Sequence, residues 1–280
     1  MNSGRLNEDH AAPLRIALAG FGAVGRQLAE RFKDNQLPGA TLTAVSARNL
    51  DKAADTLAAI GLHVPVVPLQ ELMDYADIVV ECATAESFAE IAETAMRAGK
   101  ILVAVSVAGL VQCPDLADLA RRYGGRVRVA SGGLPGLDAV RAVRECHISK
   151  VKLCTTFRPE SLAHEPVVQK LGFDFTKSPV TKAKVFTGTG REAALAFPRH
   201  FNVAVALSLC GIGFDDTDIE VWVDPDVEGA VQHIEVVADD ADLTLISRNR
   251  PSTNPRTSRI VASSIMATLR SYTEPIQIGT

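Results

Sequence analysis

The chain has 280 residues, 47% of them hydrophobic, and a formal net charge of −4 at neutral pH. That length suits one large domain or two modest ones, and the apolar share is enough for a substantial core. The acidic balance, with arginine and lysine scattered and not interleaved with aromatics, argues against a nucleic-acid or polyanion partner.

Residues 1–13 are polar, lack the apolar core of a secretory leader, and read as a disordered tail. Beyond them, short β-rich runs alternate with helical patterns. Strands are expected at 14–20, 41–47, 76–83, 101–106 and 126–131, with helices at 22–34, 50–61, 86–100 and 114–123. Such alternation implies βαβ units and a parallel sheet covered on both faces, a Rossmann-type α/β domain spanning 14–133. After Ser131 the pattern changes. A helix at 135–147 precedes strands at 149–158, 180–189, 218–224, 231–238 and 242–248, with one helix at 198–211 among them. Clustered strands with few helices suggest a smaller α+β substrate and dimerisation domain at 134–254. A last helix, 255–270, opens at Asn254-Pro255 and can pack back on the first domain, so 255–280 forms a separate segment. No apolar run approaches the ~20 residues of a membrane span. The cysteines Cys82, Cys113, Cys146, Cys154 and Cys210 are far apart and form no CxxC pair. Neither a disulfide framework nor a zinc site is signalled, and a reducing cytoplasm fits best.

The chemistry-bearing motif comes early. Gly20-Phe21-Gly22-Ala23-Val24-Gly25 spells GxGxxG between an apolar strand and a helix, the setting a dinucleotide pyrophosphate requires. Gly20 allows the tight turn, Gly22 lets backbone approach phosphate, and Gly25 lets helix and strand pack closely. Ala23 and Val24 open the helix, whose N–H groups and dipole favour the anion. An acidic residue is expected near the end of the second strand to hold the ribose hydroxyls. Ser46, Ala47 and Arg48 stand there instead. Arg48 and Ser46 suit a 2′-phosphate, which favours NADP over NAD while leaving dual use open. At later strand ends, Ala83, Thr84, Ser106 and Gly109 are small enough to leave room for ribose and nicotinamide.

Several segments together resemble the aspartate dehydrogenase family: "ECATAESF", "SVAGL" (106–110), "SGGLPGLDAV" (131–140), "FPRHFNVAVALSLCGIG" (197–213), "DPDVEGAVQHIEV" (224–236) and "NRPSTNPRTSRI" (249–260). The resemblance covers most of 14–270 and implies a homodimeric NAD(P)-dependent enzyme. Its reaction would be oxidative deamination of L-aspartate to oxaloacetate and ammonia through an imine, or the reverse amination. Three places depart from the family: Gly133-Leu134-Pro135 for Ala-Ile-Ala, His200 for Asn, and Arg158-Pro159-Glu160 near a Lys-Pro-Pro site. They leave room for another amino acid, imine or 2-oxo acid as substrate. A non-catalytic NADPH-binding sensor is the reading from a different class.

Deamination needs a proton acceptor of near-neutral pKa, and histidine supplies one. His233 falls on the family's catalytic histidine, although a strand histidine without that resemblance is more often a packing residue. His200 follows Pro198 near a helix start, and Asn202 beside it matches a family position. For the substrate carboxylates, Asn254, Thr257 and Ser258 at the last helix start and Arg158 at a strand end are the expected partners.

Overall fold

The structure, a computed structural model, describes residues 12–170, 172–173, 175, 181–197, 200–250 and 259–279. The first half of the chain builds five parallel strands: β1 (Leu14–Ala19), β2 (Ala40–Ser46), β3 (Ile78–Glu81), β4 (Ile101–Ala104) and β5 (Arg126–Val129). They lie side by side in the order β2-β1-β3-β4-β5. The helices α1 (Ala23–Lys33), α2 (Leu50–Ala59), α3 (Leu69–Leu72), α4 (Ala85–Arg97) and α5 (Leu116–Tyr123) lie in the connections between these strands. Side-chain alternation along β1 feeds two cores. Ile16 and Leu18 join Leu28 and Ala29 of α1, whereas Ala17 and Ala19 join Phe88, Ile91 and Ala92 of α4. With both faces buried, these strands carry continuous apolar runs, as a Rossmann-type parallel sheet demands.

A second sheet follows α6 (Leu137–Val143). It contains β6 (Ile148–Phe157), β7 (Ala183–Thr189), β8 (Thr217–Val223), β9 (Val231–Ala238) and β10 (Leu243–Arg248). Its order is β10-β9-β6-β8-β7. The β6–β8 pair is parallel, and the other pairs are antiparallel. Short helices α7 (Pro159–Leu162) and α8 (Pro166–Lys170) follow β6, and α9 (Gly190–Ala196) and α10 (Asn202–Cys210) lie between β7 and β8. Only one face of this sheet is buried. Leu153 and Phe157 of β6, Val221 of β8 and Ile234 of β9 point into a core shared with Ala193 of α9 and Val205 of α10. The opposite face, with Cys154, Glu220, Trp222, His233 and Ile246, remains half-buried or exposed.

The helix expected over 198–211 is α10, but a further helix, α9, precedes it over a stretch to which the sequence pattern assigns no element. Thr189 starts α9 with a full capping box, its side chain accepting from the Glu192 N–H while Glu192 accepts from the Thr189 N–H. The chain then restarts helically at Asn202.

The last helix, α11 (Ile260–Arg270), packs against α1. Ala262, Ile265, Met266 and Leu269 enter the core that holds Ile16 and Leu28. Burying Ile265 and Leu269 completely stabilises this docking by roughly 1.5–3 kcal/mol for each side chain. Polar ties add direction: Arg31 donates to Ser263 Oγ at 3.1 Å, and the Gly132 N–H donates to Ser264 Oγ at 3.1 Å. Among the described residues, no helix is long and apolar enough to cross a membrane, and no cluster of metal-ligating side chains occurs.

Candidate cofactor and active site

The glycine turn has the geometry its sequence predicts. Gly20 has φ +108°, and a Cβ there would lie 2.6 Å from the Ala83 nitrogen. A Cβ on Gly25 would lie 2.5 Å from the Gly20 carbonyl oxygen. Both positions therefore admit only glycine. Gly22 is different: nothing lies within 4 Å of a Cβ placed there. Its space opens to solvent in front of α1, where Gly22 is the N-cap and no side chain caps the first N–H groups. Gly22 and Ala23 are exposed, and Val24 is half-buried. An uncapped helix start behind an open glycine fits a dinucleotide pyrophosphate. At the end of β2, Ser46 is buried and its carbonyl accepts from the Gly20 N–H at 2.8 Å. Arg48 is exposed just before Asn49, which caps α2 by accepting from the Lys52 N–H.

A buried carboxylate organises the next strand ends. Glu81, fully buried at the end of β3, accepts from the N–H groups of Ala83 at 2.8 Å, Val105 at 3.1 Å and Ser106 at 2.7 Å. Burial raises its pKa above the ordinary glutamate range, against the opposing pull of those three donors. Ser106 Oγ donates to the Ala83 carbonyl at 3.0 Å, joining β3 and β4 beyond their ladder. Thr84 is exposed at the N-cap of α4. Gly109 is placed differently from the cofactor contact expected of it. It is buried, and a Cβ there would lie 2.6 Å from the Phe88 side chain, so packing against α4 already accounts for the glycine.

Among the contacts that join the two sheets, three lie near the site. Asn202, opening α10, accepts from the Ala108 N–H at 3.0 Å, in the 3₁₀ turn Val107–Gln112 that follows Ser106. A Cβ on Gly133 would lie 3.3 Å from Asn249 Nδ2. A Cβ on Gly136 would lie 2.8 Å from the Leu245 side chain of β10. The α10 start, the end of β10 and the β4 end are thereby held together. His200 lies two residues before Asn202, and its Nε2 lies 3.1 Å from Glu165 Oε1, with both side chains about 90% or more buried. Its ring stands edge-on to Phe157 at 5.6 Å. Arg158 lies at the end of β6, exposed, with its guanidinium engaged by Glu160 at 3.3 Å and by the Val227 carbonyl at 3.2 Å. Asn254, Thr257 and Ser258 lie outside the described residues.

His233 is not brought to this junction. In β9, Gln232, Ile234 and Val236 are buried, and His233 and Glu235 alternate to the other side. Gln232 turns inward and accepts from Thr155 Oγ1 at 2.6 Å. His233 lies on the open face, in a hollow of about 430 Å³ with Cys154, Glu220, Trp222 and Ile246. The sheet thus separates His233 from α10 and from Asn202. Glu220 dominates this hollow. Burial opposes its ionisation, yet hydrogen bonds from Trp222, Lys152 and Cys154 outweigh burial and hold the carboxyl at about 2. Burial, followed by that same carboxylate, pushes the Cys154 thiol up to about 11.

The uncapped glycine turn on a parallel sheet, joined to a mixed sheet at its strand ends, defines a two-part dinucleotide-binding dehydrogenase. The model of the homoserine dehydrogenase NAD-binding domain matches residues 20–130, and that of the aspartate dehydrogenase C-terminal domain matches 138–272. An L-aspartate dehydrogenase of Bordetella bronchiseptica is 43% identical over 95% of this chain and 98% of its own length. One from Bradyrhizobium diazoefficiens is 41% identical over 96% of this chain and 95% of its own. The crystal structure of Thermotoga maritima aspartate dehydrogenase superposes with a TM-score of 0.72 at 21% identity, covering 95% of this chain and 99% of that one. This chain belongs to the aspartate dehydrogenase family.

Proposed function

We propose that the protein catalyses NAD(P)-dependent oxidative deamination of L-aspartate to oxaloacetate and ammonia, or the reverse amination. The end-to-end similarity to L-aspartate dehydrogenases carries this reading. The nicotinamide, when bound, supplies the acceptor for the hydrogen and electron pair leaving the substrate Cα. The Gly22–Gly25 turn and the α1 N–H groups hold the pyrophosphate. Glu81 and Ser106 fix the strand ends that flank the nicotinamide, and Asn202 fixes the following turn. An exposed Arg48 in place of the usual acid supports NADP as the preferred cofactor.

Arg158 is a weaker carboxylate clamp than its sequence position suggested, because Glu160 already offsets its charge. The substituted residues Gly133, Pro135 and His200 favour a second reading, another small amino acid or 2-oxo acid on the same scaffold. A panel of amino and oxo acids, each assayed with NADP and NAD, separates the two. L-Aspartate should lead the panel, and absence of its turnover with both cofactors would reject the first reading. Arg48→Asp should weaken NADPH binding by about tenfold, of the order of one charge-assisted hydrogen bond, while leaving NADH binding nearly unchanged. Equal loss of both would remove the phosphate-clamp argument. We also read the protein as a cytoplasmic homodimer. The apolar residues Val231, Trp222 and Ile246 on the second sheet's open face support self-association, and sedimentation at micromolar concentration tests it.

A further inference from the structure

Every hydride exchange at a nicotinamide changes the charge of its ring by one unit. The oxidised ring is a cation and the reduced ring is neutral, so a fixed charge nearby favours one state over the other. The fold decides where that ring lies. The pyrophosphate rests at the turn between β1 and α1, and the adenosine end faces the end of β2. The nicotinamide end therefore points the other way, toward the ends of β3 and β4, which lie on the far side of β1 from β2.

A buried carboxylate lies at those ends. Glu81 closes β3 and is fully buried. It sits just behind the glycine turn, because the Ala83 nitrogen that donates to its Oε1 is the atom a Cβ on Gly20 would meet at 2.6 Å. Its Oε2 reaches across to β4, accepting from the N–H groups of Val105 at 3.1 Å and Ser106 at 2.7 Å. Ala83, Val105 and Ser106 are themselves half-buried, so the carboxylate lies one residue layer beneath the strand-end surface. Buried charges are ordinarily paired with an opposite charge. Here the donors are backbone dipoles without net charge, and no lysine or arginine forms an ion pair with Glu81 among the described residues. The group is hydrogen-bonded but not neutralised, and burial works against its ionisation. A cation delivered to the strand ends would supply the missing partner.

We propose that the Glu81 carboxylate is the counter-charge of the oxidised nicotinamide, favouring the oxidised cofactor and making the bound reduced cofactor a stronger hydride donor. This rests on the dinucleotide-binding part of the reading above and not on its substrate. In the amination direction, the C4–H bond of the reduced ring breaks, and the hydrogen passes with its electron pair to the carbon of the protonated imine. The C=N pair becomes the nitrogen lone pair, and the ring is left as the cation. Glu81 stabilises that product charge through space, without touching the ring and without exchanging a proton. Ser106 Oγ, donating to the Ala83 carbonyl at 3.0 Å, ties the two strand ends around the carboxylate and keeps the charge in one place.

The test is cofactor binding by the full-length protein, followed by calorimetry and by the fluorescence of the reduced cofactor, so no turnover is needed. Kd values for NADP+ and NADPH, or for NAD+ and NADH where that pair binds more tightly, give the ratio that the carboxylate sets. Glu81→Gln should weaken the oxidised form about tenfold relative to the reduced form, the scale of one weakly screened charge pair. Glu81→Asp keeps the charge, and its ratio should return to within about threefold of wild type. A purely structural role for Glu81 would weaken both forms together and leave the ratio unmoved. Glutamine turns an amide toward N–H donors, and should that prevent folding, the wild type answers alone. Benzamide adenine dinucleotide, the uncharged planar isostere of NAD+, should bind to it about tenfold more weakly than NAD+ does. An unchanged ratio in Glu81→Gln overturns the proposal, as does equal binding of NAD+ and its benzamide isostere by wild type. The cofactor reading fails separately: a wild type that binds neither the oxidised nor the reduced dinucleotide rejects that reading, and the proposal with it.

Discussion

The two sheets of this protein handle side-chain alternation in opposite ways. In the first, successive residues of β1 enter two different cores, so both phases of the strand are apolar and neither faces solvent. Its chemistry lies beyond the strand ends, in the glycine turn and around Ser106. In the second, one phase is core and the other is open, so a shift of one residue moves a side chain through the sheet. For a polar residue in the second sheet, phase therefore decides between the buried core side and the outer hollow. Gln232 and His233 are the clearest instance.

The largest effect expected from breaking this contrast is in the first sheet's turn. Gly25→Val would drive a side chain into the Gly20 carbonyl and should destabilise the protein by about 3 kcal/mol or more, abolishing NADPH binding. Gly22→Ala, three positions earlier and facing open space, should leave the melting temperature nearly unchanged. NADPH affinity should still fall about tenfold, since a methyl group would stand where backbone must approach phosphate. Thermal melts and fluorescence titration of both variants check the pair, and equal melting temperatures would refute the packing argument for Gly25.

A smaller effect distinguishes the two faces of β6. Thr155→Val leaves the buried Gln232 carbonyl without its donor and should cost about 1–3 kcal/mol in urea unfolding. Thr156→Val, one residue along on the open face, should change stability by about 0.5 kcal/mol or less. Comparable losses would mean that the two faces do not differ as described.

A pH-dependent effect concerns Glu220 on the open face. Its folded pKa is depressed to about 2 from an ordinary 4.5, so its stabilisation is present above the ordinary value and is lost as pH falls through about 2. Wild type should exceed Glu220→Gln in stability at neutral pH, and the gap should close across that acid window. A gap constant from neutral pH to about 2 would show that the outer hollow holds no linked charge.

Much of this arrangement is legible in the chain itself. The β/α alternation and the glycine spacing locate the first sheet and its turn, because local sterics and period dictate both. The orientation of His233 was also legible. In "VQHIEVV" the polar Gln232 shares its phase with Ile234 and Val236, and His233 shares its phase with Glu235. Likeness to a family motif assigns His233 the catalytic role, and the strand period tells which face of the second sheet it lines. The unexpected helix α9 left a signal as well, in the Thr189-x-x-Glu192 capping box. Glu81 left one too, as an acid closing the apolar run Ile78–Val80. Glu165 left none. Its partnership with His200 joins residues 35 positions apart, and no local pattern encodes a contact made only by tertiary packing.

The return of α11 to α1 has a consequence in time. The chain passes between the two sheets twice, once between β5 and α6 and again between β10 and α11. During synthesis, β1 to β5 emerge first, but the core that Ile16 and Leu18 share with α1 is completed only by Ile265 and Leu269. At ribosomal rates of about 5–20 residues per second, that core stays incomplete for roughly ten seconds or more. The nucleotide-binding half is thus the first to be made and among the last to be finished. Its maturation is tied to the arrival of the final helix, and the two passages limit how freely one half can swing against the other once that helix is seated.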